Sequence, residues 1–314
     1  MVVIILCAAL HIIFRLTFLR QISMLDLKRP KEMDDHTVGI CGGHNENNLF
    51  FVDSKNGAVR SLNVHTAQLS SDDIYRCQDG EEICDVAFCA EWDTLLIAIK
   101  HLEKLVLLLF VCNNGKWIGI DRLSTGVRVT SSVIIRFLPD GTLFCSQILS
   151  DTVLVYYVDA ERWMDCIGSL TLPKRHWGFD VQLVGEEIRL VAAFCDNSVA
   201  VLRVEEKEED EEEGKEEECT LKLTLIHSIQ LHRQPRYPLF CGDALLVQME
   251  ADDSNSHKVV AIPVTEDSLQ CQRKRVLHTF DGQFCSKVWC YVHGTLVVHI
   301  PQNKTLQLFT VEYS

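Results

Sequence analysis

The sequence has no C-x-x-C pair, no G-x-S-x-G, no G-x-x-x-x-G-K and no H-E-x-x-H. It therefore lacks the paired-thiol, nucleophile-elbow, phosphate-loop and zinc-protease signatures, and the residues point to no enzyme and no cofactor. Positive charge is also in deficit: 30 Lys and Arg face 44 Asp and Glu, for a net −14, which argues against a nucleic-acid binder. Outside the first 20 residues, no segment carries a helical apolar period over eleven residues or more.

The apolar start, "MVVIILCAALHIIFRLTFLR", has no basic region before it and no small-residue cleavage site after it, and His11 and Arg15 break it. Residues 1–20 read as a strand, with a membrane anchor as the alternative; a signal peptide or a wrong start would also account for them. If the segment spanned a bilayer, Arg15, Arg20, Lys28, Arg29 and Lys31 would hold the rest of the chain in the cytoplasm.

Fourteen cysteines are present, scattered, and several lie in apolar strand patterns, where a free thiol packs as a small hydrophobe. A disulfide framework belongs to short secreted chains, so reduced thiols and a cytoplasmic or nuclear location are expected. The sequon at Asn303-Lys304-Thr305 is discounted on the same ground.

What the chain does have is a repeat. "AVRSLNV" begins at Ala58, "LVLLLFV" at Leu105, "TVLVYYV" at Thr152, "SVAVLRV" at Ser198, "KVVAIPV" at Lys258 and "TLQLFTV" at Thr305. The starts lie 47, 47, 46, 60 and 47 residues apart. The long interval contains "EEKEEDEEEGKEEE" (residues 205–218), which carries −9 and leaves −5 for everything else. Removing those fourteen residues restores a spacing of 46, so the run is an insertion, and its composition is that of a disordered, solvated loop.

Each unit reads as four short strands. In the third, "SVIIRF", "TLFCSQ", "TVLVYYV" and "CIGSLTL" are separated by Leu138-Pro139-Asp140-Gly141, by Ser150-Asp151 and by a further break. Four strands per unit of about 47 residues is the signature of a β-propeller blade. The expected fold is therefore all-β: a propeller over residues 21–314, with six four-stranded blades as the first reading and seven, one of them incomplete, as the alternative. The last unit lacks its outer strand, which "ISMLDL" (Ile22–Leu27) would supply, clasping the ring.

The segment "FLPDGTLFCSQILSDTVLVYYVDAE" resembles the middle of a WD-repeat blade. The family's dipeptide position falls at Tyr157-Val158, its Gly-His is missing, and Trp92-Asp93 stands before the second strand. The chain thus resembles a divergent WD-like propeller, and that resemblance implies a non-catalytic scaffold for protein–protein interaction.

Two constellations have chemistry-bearing residue types. Cys285, Cys290 and His293 have loosely metal-like spacing but sit in a strand pattern, so no metal is assigned. His176 and Asp180 have no nucleophile placed near them in sequence. Some six-bladed propellers are hydrolases with a central calcium, and that remains an alternative with no spacing to support it. The second alternative is a nucleic-acid-associated propeller subunit.

The links expected between the outer strand of one blade and the first strand of the next are basic. They or their flanks hold Arg76, Arg122, Arg128, Lys174, Arg175, Arg233, Arg236, Arg273, Lys274 and Arg275, with Lys28, Arg29 and Lys31 before the first blade. His176, Trp177, Tyr75 and Tyr237 lie among them. The expectation is a basic top face that binds an acidic or phosphorylated protein partner, with the acidic insertion on the opposite face. No small-molecule substrate is expected.

Overall fold

A computed structural model describes residues 14–23, 40–42, 48–53, 56–63, 66, 68–159, 161, 163–206, 221–242, 244–250, 256–265, 268–269, 275–281, 289–292, 295–300 and 305–313. Every regular element among them is a strand. The first, β1 (Phe14–Ser23), is followed by β2 (Ile40–Gly42), β3 (Asn48–Asp53), β4 (Ala58–Asn63), β5 (Gln68–Leu69) and β6 (Tyr75–Arg76). Then come β7 (Glu81–Cys89), β8 (Thr94–His101), β9 (Lys104–Asn113) and β10 (Lys116–Arg128). The third group is β11 (Val133–Phe137), β12 (Thr142–Gln147), β13 (Thr152–Val158) and β14 (Met164–Thr171). The fourth is β15 (His176–Val184), β16 (Glu187–Phe194), β17 (Ser198–Glu206) and β18 (Leu221–Gln230). The fifth is β19 (Pro235–Cys241), β20 (Ala244–Glu250), β21 (Ser256–Thr265), β22 (Ser268–Leu269) and β23 (Arg275–Asp281). The chain ends with β24 (Trp289–Val292), β25 (Thr295–Ile300) and β26 (Thr305–Tyr313).

These strands form an all-β propeller of antiparallel meanders, and each recurrent heptamer supplies the third strand of its sheet. Turn chemistry sets the hairpins. Asn114 (φ 50°) and Gly115 (φ 77°) make the two-residue connection between β9 and β10, where both positions need positive φ. In the Leu138–Gly141 turn, Gly141 N–H donates to Leu138 O at 3.1 Å, and Gly141 has φ +94°.

Five sheets are built from consecutive strands, where the period predicts six such blades. The remaining sheet joins the two ends of the chain, with β1 pairing antiparallel to β26 in the order β1-β26-β25-β24. The strand that covers β26 is Phe14–Ser23, not Ile22–Leu27; its nine paired positions run from Phe14↔Tyr313 to Ser23↔Thr305. Four-strand uniformity is also corrected. In two sheets the outer strand is broken, so β5 and β6 share the flank of β4, and β22 and β23 share that of β21. At the first break the ladder is kept by Ser70 N–H to Ser61 O at 2.7 Å and Ile74 N–H to Val59 O at 2.8 Å.

The core lies between sheets, which explains why central strands read as apolar on both faces. In β8, Leu96 and Ala98 pack with Leu143 and Cys145 of the next blade, while Leu95, Ile97 and Ile99 pack with Phe50, Val52 and Val59 of the preceding one. In β16, Leu190 and Ala192 join Phe144 and Val155, while Val191 and Ala193 join Leu245 and Val260. No sheet hides both faces alone, so radial stacking is the way each becomes buried.

Of the acidic insertion, Glu205 and Glu206 end β17, and the rest lies outside the described residues, as do residues 1–13. The eight cysteines whose side chains are described are free thiols, and burial pushes that of Cys84 up to about 12. Among the described residues, no helix is long and apolar enough to cross a membrane.

Candidate protein-binding rim

In an antiparallel four-strand meander, the turn between second and third strands and the link from the outer strand to the next blade leave from the same end. Those segments make one rim. Three of them are tied together by a recurring backbone bond from the first residue after the outer strand. Val129 N–H donates to Glu103 O at 2.8 Å, Leu172 N–H to Asp151 O at 2.7 Å and Leu231 N–H to Asn197 O at 2.8 Å. Each link also bonds onward. Thr130 N–H reaches Gln147 Oε1 at 2.8 Å, Leu149 N–H reaches His176 O at 2.8 Å, and Cys195 N–H reaches Arg175 O at 3.0 Å. Gln234 Nε2 donates to Phe194 O at 2.9 Å. The result is a continuous hydrogen-bonded seam from residue 103 to residue 234.

The structure assembles part of the expected basic face on this seam. Arg175 and Arg233 are exposed. The Arg236 guanidinium lies over the Trp177 ring, 4.3 Å from its centroid, a cation–π contact that joins neighbouring blades. Cys195, which is exposed, lies close to both Arg175 and Arg236; burial pushes its thiol up, while the two guanidiniums pull the other way. Arg128 ends β10, exposed, with its carbonyl accepting from Gln147 Nε2 at 2.8 Å.

Other expected contact residues are placed differently. His176 is buried, because its ring is used inward. Its Nε2 lies 2.9 Å from Ser146 Oγ, which itself donates to Thr152 O at 2.6 Å. Ser146 thus accepts from Nε2–H, and Nδ1 is left buried without a partner. Burial lowers the imidazole pKa to about 4, against a smaller opposing pull from Asp151, so the ring is neutral.

Tyr237 is buried as well. A Cβ on Gly178 (φ +150°) would stand 2.9 Å from Tyr237 Cα, so glycine is what lets β15 approach β19 so closely.

Lys174 is exposed but paired with Asp196, whose pKa that contact and Ser198 bring down to about 2. Arg76 pairs with Asp73, and Arg122 lies inside β10, bonded to Glu81 at 2.9 Å, rather than in a link. Arg275 opens β23 as a strand residue, opposite Ala261. Arg273, Lys274, Lys28, Arg29 and Lys31 lie outside the described residues, as do Cys285 and His293. Tyr75 serves the interior, with its ring 5.8 Å from that of Phe110.

The sequence reading missed two rim residues, Leu102 and Leu149, which are 78% and 44% exposed with φ of 50° and 65°. The available signal was a leucine in a turn where other units place Asn or Gly.

No family model matches the chain, and no curated protein matches it either. Solved structures do. A functionally unknown protein from Desulfotomaculum acetoxidans aligns at TM-score 0.58 and 12% identity, over 87% of this chain and 82% of that one. A chain of the mitotic checkpoint complex aligns at 0.57 and 9%, over 94% of each chain. A protein from Lactobacillus plantarum aligns at 0.51 and 10%, over 88% and 80%. At these identities the likeness shows the fold, and this chain shares it.

Proposed function

We propose that the chain is a divergent WD-like propeller that acts as a non-catalytic, cytoplasmic or nuclear scaffold and docks an acidic or phosphorylated protein partner on the seam rim. The observation that carries this reading is the cluster of exposed Arg175 and Arg233 beside the Arg236–Trp177 stack, held on a hydrogen-bonded frame. A guanidinium offers forked donors to carboxylate or phosphate, and one stacked on indole is pre-organised for them. A partly buried aromatic–Arg pair is also the residue combination that dominates protein interfaces.

We further read the composite sheet as a sixth blade that closes the ring, with the β1–β26 clasp as its latch. Support comes from the neighbours of β24, which packs beside β19 on one side and β2 on the other. The −9 run begins at Glu205 within β17, whose C-terminal end lies on the rim opposite the seam.

The test is affinity capture from lysate with quantitative mass spectrometry, comparing wild type with Arg175→Glu plus Arg233→Glu. The double variant is expected to lose acidic partners by roughly tenfold or more, the size of a lost charge-assisted contact, at an unchanged melting temperature. An identical partner set would end the rim reading.

A further inference from the structure

Among the described residues, the turn between second and third strands enters the left-handed region in four blades. Gly57 (φ 58°) and Asn197 (φ 67°) are residue types that suit this conformation. Leu102 (φ 50°) and Leu149 (φ 65°), at other places in their turns, are not: a Cβ-bearing, non-hydrogen-bonding side chain makes this conformation costly. Leu102 is followed by Glu103 at φ 63°, so both central positions of that two-residue hairpin are strained, in a turn type that favours Asn-Gly.

Neither leucine recovers that cost by burial, since Leu102 is 78% and Leu149 44% exposed. Two strained, solvent-facing leucines on adjacent blades are thus unfavourable for folding on both counts. They are held on the same seam as the basic cluster, because Val129 bonds Glu103, Ser131 Oγ bonds Ile148 O at 2.6 Å, and Leu149 bonds His176.

We infer that Leu102 and Leu149 are apolar anchors of the docking rim, and that its partner is an extended acidic peptide segment carrying apolar side chains between its carboxylates. This rests on the rim reading above and adds the partner's chemistry. Charge selects the sign. Besides Lys174, which Asp196 engages, the strip carries exposed Lys104, Arg128 and Arg175. The facing carboxylates are Glu103, already within 3.6 Å of Lys100, and Asp151. The excess is cationic, so the segment must be anionic, and the two leucines demand apolar matter from it. An extended segment suits a strip that crosses several blades, and its own backbone can remain solvated.

The test selects phage-displayed random 12-residue peptides on the full chain and measures the hits by fluorescence anisotropy. Three proteins are compared: wild type, Leu102→Asn with Leu149→Asn, and Arg175→Glu with Arg233→Glu. Hits are expected to combine Asp or Glu with two or more Leu, Ile or Phe.

The leucine variant is expected to bind them at least tenfold more weakly while melting at an equal or higher temperature, because Asn adopts positive φ readily. That opposite movement of affinity and stability is one that a structural role for the leucines cannot produce. Hits that keep their affinity within twofold in the leucine variant but lose it in the arginine variant overturn the anchor assignment and leave the basic rim standing. Hits indifferent to the arginine variant, hits without acidic residues, displacement by duplex DNA with no peptide enriched, or self-association of the chain in place of peptide binding overturn both.

Discussion

The carboxylate of Asp180 joins three blades: its Oδ2 accepts from the Phe240 N–H at 2.9 Å, and its Oδ1 takes Arg136 Nε at 2.5 Å. Asp180, Arg136 and Phe240 stand on the first strands of successive blades. The same device recurs two blades earlier, where Asp85 Oδ2 accepts from Ile135 N–H at 3.0 Å. An inner-strand aspartate therefore caps the backbone of the next blade's inner strand. Removing the Asp180 carboxylate would leave a buried amide without its acceptor and a largely buried guanidinium, still bonded to Ile135 O at 2.9 Å, without its counter-charge. Asp180→Ala is expected to cost about 3–5 kcal/mol and Asp180→Asn about 1–2, since Asn still accepts from Phe240 but cannot neutralise Arg136. Urea unfolding measures both, and a double-mutant cycle with Arg136→Met should show at least ~1 kcal/mol of coupling. A coupling of zero would mean that the ion pair does not contribute.

His176 makes stability depend on pH. Its pKa is about 4 in the fold, against 6.5 as the ordinary value. The unfolded chain therefore binds a proton in the window where the folded chain does not. Stability from this site is complete above about pH 6.5 and falls as the pH drops toward 4, by up to ~1.4 kcal/mol per pH unit. His176→Gln keeps an amide donor for Ser146 without a titrating group. The variant should be less stable than wild type at pH 7.5, with the gap narrowing or reversing at pH 4.5 in chemical-denaturation curves. Parallel pH profiles for the two proteins would remove His176 as the source.

The blade architecture was legible because it rests on local signals: the heptamers that became β4, β9, β13, β17, β21 and β26, and turn residues such as Asn114-Gly115. The latch was harder. β1 and β26 meet across nearly the whole chain, and no local pattern chooses Phe14–Ser23 over Ile22–Leu27. For the expected contact residues, exposure followed charge more closely than sequence position. Lys174, Arg175 and Arg233 were placed on the rim from sequence position, and they are exposed there. His176 and Tyr237, one to four positions away, turned inward, because only three-dimensional neighbours such as Ser146 and Gly178 decide which way a link residue points. Leu102 and Leu149 escaped notice because an apolar residue between two apolar strands looks like more strand; the sign of φ separates them.

The β1–β26 pairing joins residues from nearly opposite ends of the sequence, and its contribution can be tested by removing it. β26 is flanked on one side by β25, from Thr295↔Thr310 to Ile300↔Thr305, and on the other by β1. Without β1, β26 becomes an open edge, its row of N–H and C=O groups free to pair with another chain. Deleting residues 1–23 should therefore lower the melting temperature by at least ~5 °C, which corresponds to roughly 2 kcal/mol for a chain of this size. It should also raise light scattering at concentrations where wild type stays monodisperse. Supplying Phe14–Ser23 as a separate peptide should restore part of the lost stability in proportion to its concentration, because a strand that binds only the folded ring stabilises it by mass action. A truncated chain that melts like wild type and ignores the peptide would show that β1 is an accessory strand, leaving β24 to pack beside β2 and β19 without its help.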